Sequence, residues 1–333
     1  MTWFEILTGF PERSGDDVRS KLLLDGSKLT SVVNNRTLDA GSFATPMLSD
    51  LRLKTRFDTH HRIQVSELVG DVRSLHQDPA NADAVFQVAS QFNCLEMAAP
   101  HVVPEDGVGI YENDRTQGSA CSICAGAGTI YRNYFTVVNG RRGQTRNNQI
   151  DCLGEVGRHF GGEVWTMVNG YCFPTSSGLA QIENRLASCT SRELDEVRAK
   201  VKIGVQSNTE VTISEANQLV TQVFCSALPI SYSDIPKSRW NHFPRLILDA
   251  TYEATFHIAV QNLMRTGCRK LYLTLVGGGV FGNKLDWILS SIGRSLELFA
   301  WANLDTYVVS YGSSNPELVR YLATKSAELG LRQ

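Results

Sequence analysis

The sequence predicts an α/β protein, a layered sheet whose strands are joined by crossover helices. Three observations predict it. From Arg62 onward, runs with strand patterning alternate with runs of helical spacing. Glycine-dense turns follow strand runs and precede helical runs, the place where open α/β sheets bind ligands. The 333 residues are 42% apolar and 20% charged, enough to bury a sizeable core in one large domain or two small ones.

Residues 1–60 carry no motif. Residues 12–28 are polar with Gly and Ser, and 43–57 read as a short helix or an extended cover. Residues 62–69 alternate like a half-buried strand, and Gly70-Asp71-Val72 follows as a turn. Residues 84–90 read as a more buried strand ending in the polar loop Gln91-Phe92-Asn93. A loop rich in Pro, Gly and acids covers 100–118, and 120–135 turns helical at its end. Residues 136–175 read as β-rich connections, with a hairpin formed by 164–168 and 170–173. Apolar spacing at Leu179, Ile182, Leu186, Leu194 and Val197 predicts a helix over 178–200. Strands are expected over 201–206, 222–227 and 270–276. A helix over 243–266 is closed by Gly267 as C-cap. A helix over 285–300, a strand over 306–311 and a helix over 316–329 finish the chain.

Composition excludes several classes. With 32 basic and 34 acidic side chains the net charge is −2, against a dedicated nucleic-acid binder. No run approaches the roughly 20 apolar residues of a membrane span. The first residues lack the pattern of a secretory signal, so a cytoplasmic protein is expected. The 8 cysteines are scattered through apolar segments and read as reduced thiols. Cys121 and Cys124 form a CxxC without a second ligand pair, so no metal site is expected. Asn35-Arg36-Thr37 matches a glycosylation sequon and is read as a plain loop.

Two glycine-bearing segments carry the chemistry. Gly277-Gly278-Gly279-Val280-Phe281-Gly282-Asn283 lies between a buried strand and a helix. Its glycines free backbone N–H groups to turn toward phosphate oxygens. Asp114-Arg115-Thr116-Gln117-Gly118 leads to Gly126-Ala127-Gly128-Thr129-Ile130, a second glycine segment before a helix. The two loops are expected to clamp one diphosphate. The phosphate-loop motif with its Gly-Lys pair is absent.

The order of these pieces resembles the macrodomain family, which binds ADP-ribose. Gly70-Asp71-Val72 is similar to the family's Gly-Asp-Ile segment, whose Asp bonds the adenine amino group. Val88-Ala89-Ser90-Gln91-Phe92-Asn93 stands where the family has a Val-Asn-Ala-Ala-Asn strand end beside the distal ribose. The segment from Ala125 to Arg132 resembles the first glycine loop, Gly277 to Gly282 the second. Val223 to Pro229 resembles a strand ending in Gly-Pro. Val308 to Tyr311 resembles the last strand, where an aromatic stacks on adenine. Over about residues 62–315 the resemblance implies a three-layer α/β/α mixed sheet. It would occupy 61–333, with an N-terminal extension over 1–60 and an insertion at about 138–200. The segments 91–96, 111–118, 129–135 and 279–283 further resemble a macrodomain subgroup that removes ADP-ribose from arginine side chains of proteins. That likeness implies an ADP-ribosylarginine hydrolase acting through carboxylates, with no cofactor and no metal. Its partners would be ADP-ribose and ADP-ribosylated proteins, not nucleic acid or membrane. A non-catalytic ADP-ribose reader, or a hydrolase of another ADP-ribose linkage, is the alternative.

Hydrolysis at C1″ needs a water, a base to activate it and stabilisation of an oxocarbenium-like ribose. Asp114 is the first candidate and Asp106 the second, with Glu96 and Glu105 as helpers. The binding set implied by the resemblance is Asp71, Val72, Gln91, Asn93, Glu96, Gln117, Gly126, Ala127, Gly128, Thr129, Ile130, Gly277 to Asn283 and Tyr311. Glu253, set among small and apolar residues, is expected to make a structural contact.

Overall fold

In the computed structural model, residues 1–56 and 61–331 are described. The chain starts with α1 (Trp3–Thr8) and α2 (Gly15–Lys21). An antiparallel sheet of β1 (Leu22–Asp25), β2 (Lys28–Ser31) and β3 (Thr37–Asp39) follows. Then come β4 (Ser42–Ala44) and α3 (Leu48–Lys54). Phe57, at the end of the expected helix or cover, and residue 60, where the extension was expected to end, lie outside the described residues. The extension is more than an irregular cover, because β4 pairs with β11 (Gly204–Glu210) as the edge of the main sheet.

Next come β5 (Gln64–Val69) and β6 (Val85–Ala89), close to the expected bounds, with α4 (Val72–Gln77) between them, a helix that the sequence reading did not expect. After the acid loop come α5 (Gln117–Cys124) and α6 (Gly126–Tyr134). The insertion contains the ribbon β7 (Val137–Val138) and β8 (Arg141–Arg142), then α7 (Gly154–His159). The expected hairpin is present as β9 (Trp165–Val168) and β10 (Tyr171–Pro174). The single helix expected over 178–200 is two, α8 (Ser176–Ser188) and α9 (Ser191–Arg198). Thr190 and Glu193 form a capping box that starts a new helix there. The strand expected over 201–206 runs later, because β11 continues past a bulge between Gln206 and Thr209. The chain ends with β12 (Leu219–Cys225), α10 (His242–Thr266), β13 (Lys270–Leu273), α11 (Leu285–Leu298), β14 (Asp305–Ser310) and α12 (Pro316–Leu329).

The main sheet has the order β4-β11-β12-β6-β13-β14-β5. Its last five strands are mutually parallel, while β11 runs antiparallel between β12 and β4. Both faces are covered, and β6 shows it. Phe86 stacks on His76 of α4 at 3.8 Å between ring centroids, while the Gln87 amide donates to Thr255 Oγ1 of α10 at 3.0 Å. Successive strand residues point to opposite faces, so helices lie on both sides. The helix α10 is buried almost all round, and its sequence is accordingly apolar and small on every face. Glu253 sits inside it and needs partners, which are Arg52 of α3 and Arg294 of α11, each at 2.6 Å. The parallel strands end on one side of the sheet, at Cys225, Ala89, Leu273, Ser310 and Val69.

Candidate functional site

A cavity of about 940 Å³ opens over the ends of β5, β13 and β14. One wall is the turn Gly70 to Arg73, and the opposite wall is Asp114 to Gln117. Thr274, Leu275, Val309 and Ser310 line it from the strand ends. Asp71 caps α4 by accepting the Arg73 amide at 2.9 Å. Glu67, near the end of β5, organises the loop beyond β14. It accepts the Asn315 amide and the Ser310 hydroxyl, each at 2.6 Å, and the Ser314 hydroxyl. Burial raises the Glu67 carboxyl, but these three donors outweigh it and hold the group below the usual carboxylate range. The loop so fixed presents Tyr311, 83% exposed, at the cavity edge.

The wall that carries Asp114 is built from the start of α5. Thr116 is its extended N-cap residue and does not cap it with its side chain. The Thr116 hydroxyl donates to Asp114 Oδ2 at 3.0 Å instead. Asp114 also accepts the Thr116 amide at 2.9 Å and the Ser119 hydroxyl at 3.0 Å. A half-buried carboxylate is thus fixed beside the positive end of a helix that lacks a side-chain cap. Gln117 ties this turn to the sheet. Its amide oxygen accepts from the Ala89 N–H and its amide nitrogen donates to the Gln87 carbonyl, each at 2.9 Å. The side chain acts as one extra rung beside β6.

Behind Gly118 lies Glu96, only 4% exposed. A Cβ on Gly118 would stand 1.9 Å from the Ala89 oxygen and 2.1 Å from Glu96 Oε2, so this turn requires glycine. Burial pushes the Glu96 carboxyl well above the usual range; Arg132 opposes the rise and the Asp114 charge adds to it. Arg132 is itself buried, which lowers its guanidinium to about 10, and lies 3.6 Å over the Phe224 ring. The acid loop leading to Asp114 is held from the N-terminal segment. Glu12 accepts the Val108 amide at 2.9 Å, the Gly109 amide at 2.6 Å and the Tyr134 hydroxyl at 2.5 Å.

The structure brings Asp114, Asp71, Val72, Gln117 and Tyr311 together around the cavity. It separates others from it. Asp106 is exposed and accepts the Val103 amide at 2.9 Å, which caps its own turn and leaves it off the cavity wall. Glu105 binds the Arg146 amide. Asn93 is fully buried, donating to Gln149 and accepting the Leu95 amide, while Gln91 accepts the Met97 amide. The hairpin turn at Gly170 packs over both. The first glycine loop is not a loop. Gly126, Ala127, Gly128, Thr129 and Ile130 are buried inside α6, and the two glycines let Trp3, Leu7, Thr209 and Gln206 pack close. The helix start that faces the cavity is that of α5, one helix earlier.

The second loop, Gly277 to Asn283, is a turn after β13, as expected. Gly278, Gly279 and Val280 are exposed. Asn283 is buried and donates to the Leu228 carbonyl at 2.9 Å, so it fixes the loop base. Phe281 is buried against Tyr171 and Tyr232. Among the described residues, no hydrogen bond engages the amides of Gly279, Val280 or Phe281. The loop does not line the cavity itself. Sequence reading missed Gln117's rung on Ala89, the Glu12 clamp on Tyr134 and the bond from Arg132 to the Cys94 carbonyl, which join residues 28 to 122 positions apart.

All eight cysteines are free, and Cys121 and Cys124 are buried in α5. Among the described residues, no group of His, Cys, Asp or Glu side chains is arranged to hold a metal ion. No described helix is long and apolar enough to cross a membrane.

No family model and no curated protein matches the chain. Among solved structures, it is similar to a poly(ADP-ribose) glycohydrolase variant from Deinococcus radiodurans in complex with ADP-ribose. The identity is 12% and the TM-score 0.45, over 86% of this chain and 94% of that one. Another structure of poly(ADP-ribose) glycohydrolase from Deinococcus radiodurans in complex with ADP-ribose gives 14% identity and a TM-score of 0.42, over 86% and 94%. The Thermomonospora curvata poly(ADP-ribose) glycohydrolase bound to the inhibitor ADP-HPD gives 12% and 0.40, over 94% and 97%. Likeness at this level transfers no residue role. The structures found are named poly(ADP-ribose) glycohydrolases, and on that finding the expected membership of the arginine-specific subgroup, and with it an ADP-ribosylarginine activity, is corrected.

Proposed function

We propose that the chain binds ADP-ribose in this cavity and hydrolyses the glycosidic bond at C1″ of the distal ribose. The observation that carries the reading is Asp114, a half-buried carboxylate with three fixed hydrogen bonds on the wall of a nucleotide-sized cavity. Asp71 and Tyr311 suit the adenine end, as a hydrogen-bond acceptor and a stacking surface. The start of α5 suits the diphosphate. That leaves the distal ribose toward Asp114.

Asp114 then takes a proton from the attacking water as the water oxygen bonds to C1″. The bond from C1″ to the leaving oxygen breaks, and that oxygen takes up a proton from solvent water. The anionic carboxylate also stabilises positive charge growing on the ribose.

The test is release of ADP-ribose from poly(ADP-ribose) and from proteins carrying single O-linked ADP-ribose. Asp114→Asn should lower turnover by about 10²- to 10⁴-fold, with ADP-ribose affinity by calorimetry kept. Binding without any release would make the chain a reader. Absence of ADP-ribose binding would remove the cavity assignment.

A further inference from the structure

Five charged side chains line the cavity: the acids Asp71, Glu112 and Asp114 and the cations Arg73 and Arg115. The protein itself engages each acid. Asp71 accepts the Arg73 amide at 2.9 Å, Glu112 accepts the Trp3 amide at 3.1 Å, and Asp114 accepts the Thr116 amide and two hydroxyls. It does not engage the cations. Among the described residues, neither guanidinium has a hydrogen-bond acceptor or an ion-pair partner. Their backbones are nevertheless fixed, Arg73 by the bond from its amide to Asp71 and Arg115 by the bond that joins Thr116 to Asp114 across it. An exposed, unpaired guanidinium is ordinarily a solvated surface group. These two stand on facing walls of one cavity, Arg73 on the turn after β5 and Arg115 just before α5. Carboxylates outnumber them three to two in the lining, so without the arginines an entering anion would meet charged side chains of its own sign only. The Gly277–Gly282 turn lies off this lining, and the arginines are the cationic side chains left to meet a phosphate there.

We propose that Arg73 and Arg115 are specificity-determining residues of the cavity: they close on a diphosphate from its two walls, Arg73 on the phosphate nearer the adenosine and Arg115 on the phosphate nearer the distal ribose. Their places in the chain set this order. Arg73 stands two residues beyond Asp71, at the adenine end, and Arg115 is next to Asp114, at the ribose end. This rests on the reading that ADP-ribose lies in the cavity in that sense. A guanidinium offers paired N–H donors to phosphate oxygens, and the bonds are charge-assisted. It also cancels phosphate charge that the three carboxylates repel. The cavity therefore selects nucleoside diphosphates over nucleosides, while the adenine contacts contribute equally to both.

The experiment measures, by calorimetry on the full chain, the affinities for adenosine, AMP, ADP and ADP-ribose of the unsubstituted protein, Arg73→Gln and Arg115→Gln. The unsubstituted chain should gain affinity with each added phosphate. Arg73→Gln should lose the gain from adenosine to AMP, and Arg115→Gln the gain from AMP to ADP, each about ten- to hundredfold. Each variant should bind ADP-ribose more weakly by the same factor and adenosine as before, which also reports an intact cavity. In the double variant, the fall of ADP-ribose affinity with added salt should flatten. Unchanged ADP-ribose affinity in both variants, or an equal loss for adenosine, would overturn the proposal and leave the cavity assignment in place. If the unsubstituted chain binds none of the four ligands, the cavity assignment itself fails, and the proposal with it.

Discussion

Asp114 and Asp106 belong to one acidic loop and differ in what they touch. Asp106 accepts the Val103 amide of its own turn, whereas Asp114 is fixed beside the start of α5 on the cavity wall. Both are plain loop acids in sequence, because an acid that caps its own turn and an acid that faces a ligand have the same composition around them. Asp71 and Tyr311 were legible, since each sits one or two residues past the end of a well-patterned strand. Glu96 was only half legible. The sequence marks it as an acid near a strand end, but its burial depends on Gly118, 22 residues later. That glycine gives the prediction at this scale. Gly118→Ala would drive a methyl into the Ala89 carbonyl and Glu96, so it should weaken ADP-ribose binding at least about tenfold and lower stability by about 1–3 kcal/mol. Calorimetry and thermal unfolding check both.

Among elements, the start of α5 decides the site, and reading Gly126-Ala127-Gly128 as the anion loop failed for a definite reason. Glycine serves two ends, exposing amides in turns and letting helices pack closely, and composition does not separate them. In α6 the second use wins, with Trp3 and Leu7 from α1 against Gly126. The acid loop before α5 depends in turn on Glu12. Burial raises the Glu12 carboxyl, and the Tyr134 hydroxyl and the Val108 and Gly109 amides pull it back only partly. A folded-state value above the unfolded one favours folding at low pH and loses that contribution as pH rises through the folded value. Glu12→Ala removes the acceptor from both amides and should cost about 1–3 kcal/mol. Amide exchange at residues 107–113 should quicken accordingly. Unchanged exchange there would mean that the loop is held without Glu12.

At the scale of the whole molecule, most parallel strands and long helices were legible. Their apolar runs are uninterrupted, and α12 matches its expected bounds of 316–329. The first 54 residues were not, because their strands are three or four residues long and partly exposed. They join the fold through β4 and through Arg52, which meets Glu253 of α10 and Asp195 of α9. Burial works against the Glu253 charge, but His257, Arg52 and Arg294 outweigh it and hold the carboxyl far below the usual range. Its stabilisation is therefore present above the ordinary carboxylate value and lost as pH falls toward the lowered one. Glu253→Gln should cost about 2–3 kcal/mol, the low end for a broken buried pair because both arginines reach solvent. Its acid unfolding should be shallower than that of the unsubstituted chain. Equal pH dependence of the two would show that the Arg52–Glu253–Arg294 bridge does not tie the N-terminal segment to the core.

The central claim, that ADP-ribose lies in the cavity with its distal ribose at Asp114, is tested most directly by a crystal structure of the chain with ADP-ribose bound. The expected result is adenine against Tyr311 and Asp71, the diphosphate at the start of α5, and C1″ within the reach of one water from Asp114. A ligand bound in the reverse sense, with its distal ribose at Tyr311, or bound away from this cavity, would contradict it.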